Sequence, residues 1–434
     1  MKTKRLRKLF VVLIVATLLV VSGIYVYAGK KPAKEVTISV LMCSTPQSDM
    51  IEKLHPEFTS KTRIKINLEM IAYEDSHSKG ILDLVSGTSN YDVLMMDNPW
   101  LAEYVKTGNV LPLTDYMEKE EPDYVEGFDP NALEVYGYYE GTYYAYPIMF
   151  GVMLLMYRTD LFKEYNDKYM EKYGTTLRPP KTWEEYLQIA EFFTKKYNPD
   201  SPVKYGVSIA GVRGDGAISV FLPWVWGCGG NIFDKDWNVT TNTPEVIKAF
   251  TLFGEQAKYA PPGFINMVWE ESLVPFASGD VAMIETWDAF CDPVINPETS
   301  KVYDKVGFAS VPGGVPLLGG WGMVINKNSS NVDAAYKFLR WACGPEVAEK
   351  SRDVYNKSEV RKRIPWLEAA LENFPKVRKY ADAYAGGPIL IPEAEYHIIL
   401  GTICNEVLAG SISPQQAAIR AEKEITALLK EHGY

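Results

Sequence analysis

Trp100, Trp287 and Trp321 each lie at or beside a predicted strand end, among Gly, Pro, Asp or Asn residues. Open α/β sheets bind ligands at strand ends, where loops carry function on a rigid scaffold. An indole presents a flat apolar face that matches the C–H face of a pyranose, while Asp, Asn and Gln side chains match its hydroxyls. Asp97, Asn98, Asp288 and Gln47 occupy such loops and complete that chemistry. Such a set suits ligand recognition, with structural packing of each indole as the alternative reading.

Bond-making chemistry is poorly supported. His55, His77, His397 and His432 form neither HxxxH nor HExxH, so no zinc site is expected. There is no P-loop and no Gly-x-Ser-x-Gly elbow, and the glycines at 313, 314, 319, 320 and 322 follow no dinucleotide fingerprint. No cofactor is expected. Glu270-Glu271 has the composition of a glycosidase pair, but with 55 acidic residues such neighbours arise by chance, and that chemistry needs a set separation in space. Asp234, Asp236, Asn238, Thr240, Asn242 and Glu245 fall at calcium-loop positions, yet Val239 stands where the sharp turn needs Gly. Pro244 fits better as the first residue of a helix capped by Thr243, so a hairpin running into that helix is preferred to a metal site.

Positioning these residues requires an α/β scaffold. Val36 to Met42 reads as a strand, 48–59 as a helix, Ile64 to Met70 as a strand, Lys79 to Ser86 as a helix closed by Gly87, and Tyr91 to Met96 as a strand leading to Asp97. A second block opens near Phe150 with a strand from Val152 to Tyr157. Thr182-Trp183-Glu184-Glu185 has capping-box spacing, and further helices are predicted at 217–226, 244–259, 332–342 and after Ser413-Pro414. Leu273 to Trp287 reads as a helix end, a stop at Gly279 and a short buried strand that delivers Trp287 to the sheet edge. Trp183 and Trp341 sit inside helical patterns and belong to cores, while Trp366 gives no clear signal.

The chain has 434 residues, 47% hydrophobic and 23% charged, the balance of a globular protein with two or three cores. Lys2, Lys4, Arg5, Arg7 and Lys8 precede an uncharged run from Leu9 to Gly29, which reads as an export signal. Cleavage after Ala28 is the preferred reading and an uncleaved anchor the rival; either puts the body outside the cytoplasm. Loss of residues 1–28 removes five positive charges and takes the formal net charge from −10 to −15, so nucleic acid is not an expected partner. Five scattered cysteines form no disulfide framework and no CxxC site; buried thiols explain them best.

Several segments together resemble the family 1 extracellular solute-binding proteins of ABC importers, the group that contains the maltose-binding protein. They are Tyr91-Asp92-Val93 with Gly108 and Leu111-Pro112-Leu113, Gly141-Thr-Tyr-Tyr-Ala-Tyr-Pro147, and Tyr157-Arg-Thr-Asp-Leu-Phe162. Pro180-Lys-Thr-Trp-Glu-Glu185, Phe276-Ala-Ser-Gly-Asp-Val-Ala-Met283, Gly319-Gly-Trp-Gly-Met-Val-Ile-Asn326 with Ala334-Ala335 and Phe338, and the Ser413-Pro414 helix extend the match over nearly the whole body.

The resemblance implies a two-lobed α/β fold of the periplasmic-binding-protein type, with a ligand cleft between lobes that close like a hinged clamp. Crossings are expected near 147–152, 319–325 and 341–346, giving one lobe of 36–148 plus 322–343 and another of 149–321 plus 344–434. The implied function is a non-enzymatic, monomeric, exported receptor that delivers a mono- or oligosaccharide, or a polyol, to an ABC permease. Membrane contact would come only through the N-terminal segment or permease docking. The alternatives are a secreted carbohydrate-active enzyme, or the same fold binding a peptide, polyamine or oxyanion. Carried over by position, Trp287 is the sugar-stacking aromatic. The loop Ser44 to Gln47, including Thr45, and the loop Asp97 to Trp100 supply polar contacts, and Trp321 faces the cleft from a crossing. Tyr396 and His397 fall at a C-terminal ligand-facing position, where His397 replaces the family's Trp, and Trp224 lies near another cleft-lining segment.

Overall fold

The computed structural model describes residues 35–128, 130–351 and 392–434; the N-terminal basic and apolar segment and Trp366 lie outside them. β1 (Val36–Cys43), α1 (Pro46–Thr62), β2 (Ile64–Ile71), α2 (Tyr73–Ser86) and β3 (Val93–Asp97) follow the predicted alternation. Thr45 starts α1 by accepting the Ser48 N–H on its hydroxyl at 3.2 Å, with Pro46 at the first helical position. Gly87 closes α2 with φ at 68°. Both helices begin earlier than the sequence suggests. Gln47 therefore sits in the first turn of α1 rather than in a loop, and Tyr73 opens α2 directly after a strand end.

β4 (Ala145–Arg158) is followed by α3 (Trp183–Phe192), β5 (Tyr205–Ser208), α4 (Asp215–Gly227), α5 (Pro244–Glu255), α6 (Trp269–Ala277), β6 (Val281–Trp287), β7 (Val306–Ala309) and β8 (Leu318–Ile325). Then come α7 (Val332–Ala342), α8 (Pro345–Ser351), α9 (Glu393–Leu408) and α10 (Pro414–Glu431). Gly279 follows α6 with φ at 83°, as its place before a strand requires. Ser413 and Gln416 form the capping box of α10. Before α5, Phe233 and Val239 pair as an antiparallel bridge while the Asp234 carboxylate accepts the Asp236 and Asn238 N–H groups, so that segment is a hairpin. The Thr243 hydroxyl departs from expectation: it donates to the Thr240 carbonyl instead of capping α5.

The strands run in the order β2-β1-β3-β8-β4-β6-β5, with β7 also paired to β4. β1 pairs in parallel with β2 and β3, whereas β8 is antiparallel to both β3 and β4. Among the described residues two large cores flank this path, with two smaller clusters beside them. Ile38, Val40, Leu94, Met96, Phe338 and Leu339 belong to the first, and Val207, Phe221, Trp224, Phe250, Met283 and Ile403 to the second. Each lobe thus buries one face set of its own, as layered α/β units do.

β4 carries the chain from one core to the other. Its residues up to Val152 pair with β8, and Met153 to Tyr157 pair with β6. Pro147 lies opposite Gly322, where the register shifts; proline has no N–H to donate, and such irregularities are where strands accommodate it. The strands also approach unusually closely. A Cβ on Gly151 would lie 3.0 Å from the Gly319 carbonyl carbon, and Gly320 adopts a φ of 119°. The middle of β4, with β8 beside it, is where the chain passes from one core to the other.

The crossing expected at 341–346 does not change cores. Val347 and Ala348 pack in the first core, and Glu346 and Lys350 of α8 pair with Lys61 and Glu57 of α1. The chain stays with the first core through α8, which buries Val347 and Ala348 there. α9 and α10 pack on the second core. All five cysteines are free thiols, and no described helix is long and apolar enough to cross a membrane.

Candidate functional site

The carboxyl ends of β3 and β6, the middle of β8 and the starts of α2, α4 and α6 converge on a cavity of about 320 Å³. Its size is at the lower end of the ~300–1,000 Å³ usual for small-molecule sites. Trp287, Trp321 and Trp269 supply aromatic wall, while Tyr73, Asp97, Asp215, Glu270 and Thr45 supply polar groups. Among the described residues, no Lys, Arg or His lines it.

Each wall is set by its element. Trp321 stands opposite Asp97 in the β8–β3 register, so crossing strand and first-lobe strand end present one aromatic and one acid side by side. Trp321 meets Trp100 edge-on at 5.3 Å and Tyr73 at 5.8 Å. Trp287 ends β6, and its ring lies against the backbone of β8: a Cβ on Gly319 would sit 2.6 Å from its Cη2. Only glycine leaves room for that ring. Trp269 packs edge-on to Trp287 at 5.9 Å and donates its indole N–H to Asp215 Oδ2 at 2.6 Å.

The two aspartates come from different lobes. Asp97 is 4% exposed; its Oδ2 accepts from the Tyr73 hydroxyl and its Oδ1 from the Asn98 N–H, each at 2.8 Å. Burial, and then the Asp215 charge, pushes its carboxyl up to about 8, so it holds its proton at neutral pH. His397 lies behind Asp215, with Nε2 3.7 Å from Asp215 Oδ1, and its ring meets Tyr73 edge-on at 6.2 Å. Burial pushes His397 down to about 4 against the pull of Asp215.

These shifts fix the sign of a pH dependence. Across pH 3.8 to about 8 an unfolded Asp97 releases a proton that the folded one keeps, so stability falls as pH rises. Between about 4 and 6.5 an unfolded His397 takes up a proton that the folded one refuses, so stability falls as pH drops. The two slopes oppose below 6.5, leaving a net fall from 6.5 to about 8. Glu285, fully buried with its carboxyl raised by burial, adds a slope of the same sign as Asp97. Asp97→Asn is expected to shrink the alkaline fall and expose the acid-side loss of His397, which thermal melts at stepped pH would record.

Of the residues singled out from the sequence, Thr45, Asp97, Trp287 and Trp321 line the cavity. The others stand elsewhere. Trp100 is buried behind Trp321, and Asn98 donates its side-chain amide to the Val135 carbonyl at 2.7 Å, pinning the turn after β3. Gln47 is buried in α1, away from the cavity. Asp288 Oδ1 accepts from the Val152 and Ala289 N–H groups, which ties the turn after β6 to the crossing strand. Trp224 stacks on Trp183 at 3.8 Å in the second core and donates to Glu285. Tyr396 packs on Phe233 in that core, and His397 backs the site through Asp215.

Tyr73, Asp215 and Trp269 were not singled out. Tyr73 follows a strand end, a signal already in use for Asp97. Asp215 follows Gly214, whose φ of 81° starts α4, and neither its sequence nor that of Trp269 says that the two meet.

Two α/β cores joined by crossing strands, with a cavity walled from both sides, define a two-lobed solute-binding fold. Residues 44–349 match the family described as bacterial extracellular solute-binding protein, and this chain belongs to that family of receptors, which are not enzymes. A mannitol-binding protein of Pseudomonas aeruginosa is 26% identical over 68% of this chain and 71% of its own length. A probable amino-acid ABC transporter periplasmic-binding protein of Sinorhizobium fredii is 24% identical over 94% of this chain and 91% of its own. The structure of an ABC transporter solute-binding protein from Agrobacterium radiobacter, in complex with ribitol, superposes with a TM-score of 0.79 at 26% identity, covering 92% of this chain and 100% of that one.

Proposed function

We propose that this chain is an exported receptor for a neutral carbohydrate, a mono- or oligosaccharide or a polyol, which it delivers to an ABC permease. The observation that carries this reading is the cavity itself: three indoles and a tyrosine surround Asp97 and Asp215, one acid from each side, with no cation among the described lining residues. Indoles cover C–H surface and carboxyl groups bond hydroxyls, the pairing a polyhydroxylated carbon chain or ring requires. The ligands named for the Pseudomonas and Agrobacterium relatives, mannitol and ribitol, have that chemistry. An α-amino acid, suggested by the Sinorhizobium relative's name, brings a carboxylate for which the described lining residues offer no Lys or Arg and two acids, Asp215 and Glu270, that repel it.

The first lobe comprises β1 to β3 with α7 and α8, and the second comprises α3 to α6 with α9 and α10; β4 and β8 serve as the crossings. Ligand stabilises the closed arrangement by touching both lobes at once, and the permease reads closure. The apolar segment within residues 1–28 directs export, by cleavage or as an anchor, in keeping with the extracellular family.

A thermal-shift screen of neutral polyols, monosaccharides and disaccharides tests the reading. At least one is expected to raise the melting temperature in a concentration-dependent way, because a ligand bound only by the native state must stabilise it. Absence of any shift across the panel would contradict the proposal. The same cavity makes a second expectation: uronates and sugar phosphates should bind at least about tenfold more weakly than their neutral counterparts, because Asp215 and Glu270 repel them at close range. Competition calorimetry would measure that ratio.

A further inference from the structure

A second cavity, of about 510 Å³, opens between the start of α1 and the face of α6. It shares Ser44, Thr45, Pro46, Glu270 and Phe290 with the inner one, so the two form one cleft in two compartments. Their walls differ in chemistry. The outer compartment is lined by Leu273, Val274 and Ala277 of α6 and by Pro293 and Val294 beyond β6, with Asp49, Ser278 and Thr299 as its own polar groups, and no Trp or Tyr is among its described lining residues. Val274 is 60% exposed there, beside Leu273 and Ala277.

Flat aromatic surface suits a sugar ring, whereas branched aliphatic surface suits a flexible hydrocarbon chain. We propose that the outer compartment binds an aliphatic substituent of the ligand, so that the receptor takes an amphiphilic glycoside whose sugar occupies the inner compartment. This rests on the carbohydrate reading above and narrows its ligand class. The occupant follows from continuity. Glu270 and Thr45 stand at the junction, where a glycosidic oxygen would pass, and the aliphatic wall begins one helical turn further along α6. Phe290 is the one aromatic among the described lining residues of the outer compartment and stands at the junction, so a second sugar residue further along α6 would meet Val274 and Ala277 rather than a ring. Asp49 and Glu270 line the outer compartment and would repel an anionic substituent, so a neutral one is expected.

The test is a calorimetric titration of the protein with paired methyl and hexyl glycosides of glucose, galactose and mannose, both anomers, alongside disaccharides and free polyols. For the sugar that binds, the hexyl member is expected to bind at least about tenfold tighter than the methyl member, since each buried methylene is worth roughly fourfold. Val274→Asn should cut that gain at least about threefold and leave the methyl glycoside's affinity unchanged. Val274 is exposed and absent from the inner wall, so the substitution does not threaten the fold.

Equal affinities for hexyl and methyl members would overturn the inference, as would a hexyl gain that survives Val274→Asn. A disaccharide that gains where the hexyl glycoside does not would make the outer compartment a sugar subsite instead. Binding of free polyols or sugars without any glycoside would overturn this inference alone; failure of every polyol, sugar and glycoside would overturn the carbohydrate reading beneath it.

Discussion

Trp287→Ala is expected to weaken ligand binding by at least about 100-fold, the scale of a tryptophan hot spot in a desolvated pocket. It should also lower stability, by about 3 kcal/mol, because the ring is mostly buried against Trp269 and the Gly319 backbone. Sequence reasoning about Trp287 as a strand-end aromatic anticipates the first effect and not the second. Trp287→Phe separates them: it keeps an aromatic face at the cavity and should hold affinity within about tenfold of the native chain. Calorimetry and thermal melts on the two variants would read both effects. A Trp287→Ala protein that binds normally would remove Trp287 from the site and leave it a packing residue.

Asp215→Ala is the second large expectation, again at least about 100-fold in affinity, because two functions are lost together. The ligand loses a carboxylate acceptor, and the Trp269 indole N–H loses the partner that holds its ring at the cavity wall. Asp215→Asn, which can still accept from Trp269, should recover part of the loss. The substitution has a readout that packing alone would not move. Asp215 helps to raise the Asp97 carboxyl, so its removal should bring Asp97 down and end the alkaline loss of stability at a lower pH. An unchanged pH profile would show that the two acids do not sense each other.

Much of the scaffold was legible because its signals are local. The Gly279 stop and the apolar run after it place Trp287 at a strand end from sequence alone, and Ser413-Pro414 marks a helix start by hydrogen-bond chemistry confined to four residues. The cavity lining was legible where it follows such ends, as at Asp97 and Trp287. It was not legible where it depends on long-range packing. Asp215 and Trp269 are 54 positions apart and meet only when α4 and α6 pack, and no periodicity reports that. Trp224 shows the reverse error: proximity to a cleft-lining segment says nothing of which helix face points inward, and the ring stacks on Trp183. Gln47 was misplaced by a shorter reach, since a capping Thr two residues earlier draws it into the helix. The third crossing failed because α8 continues the first core through Val347 and Ala348, a tertiary preference invisible in a seven-residue helix.

The claim that a neutral carbohydrate sits between the two lobes, on Trp287 and between Asp97 and Asp215, is tested most directly by a crystal structure of the complex. The ligand should be the polyol or saccharide that raises the melting temperature most. The account predicts carbon skeleton against the Trp287 indole, with hydroxyls in hydrogen-bond reach of Asp97 from one lobe and Asp215 from the other. Ligand lying outside this cavity, with both carboxyl groups bonded only to protein, would contradict it.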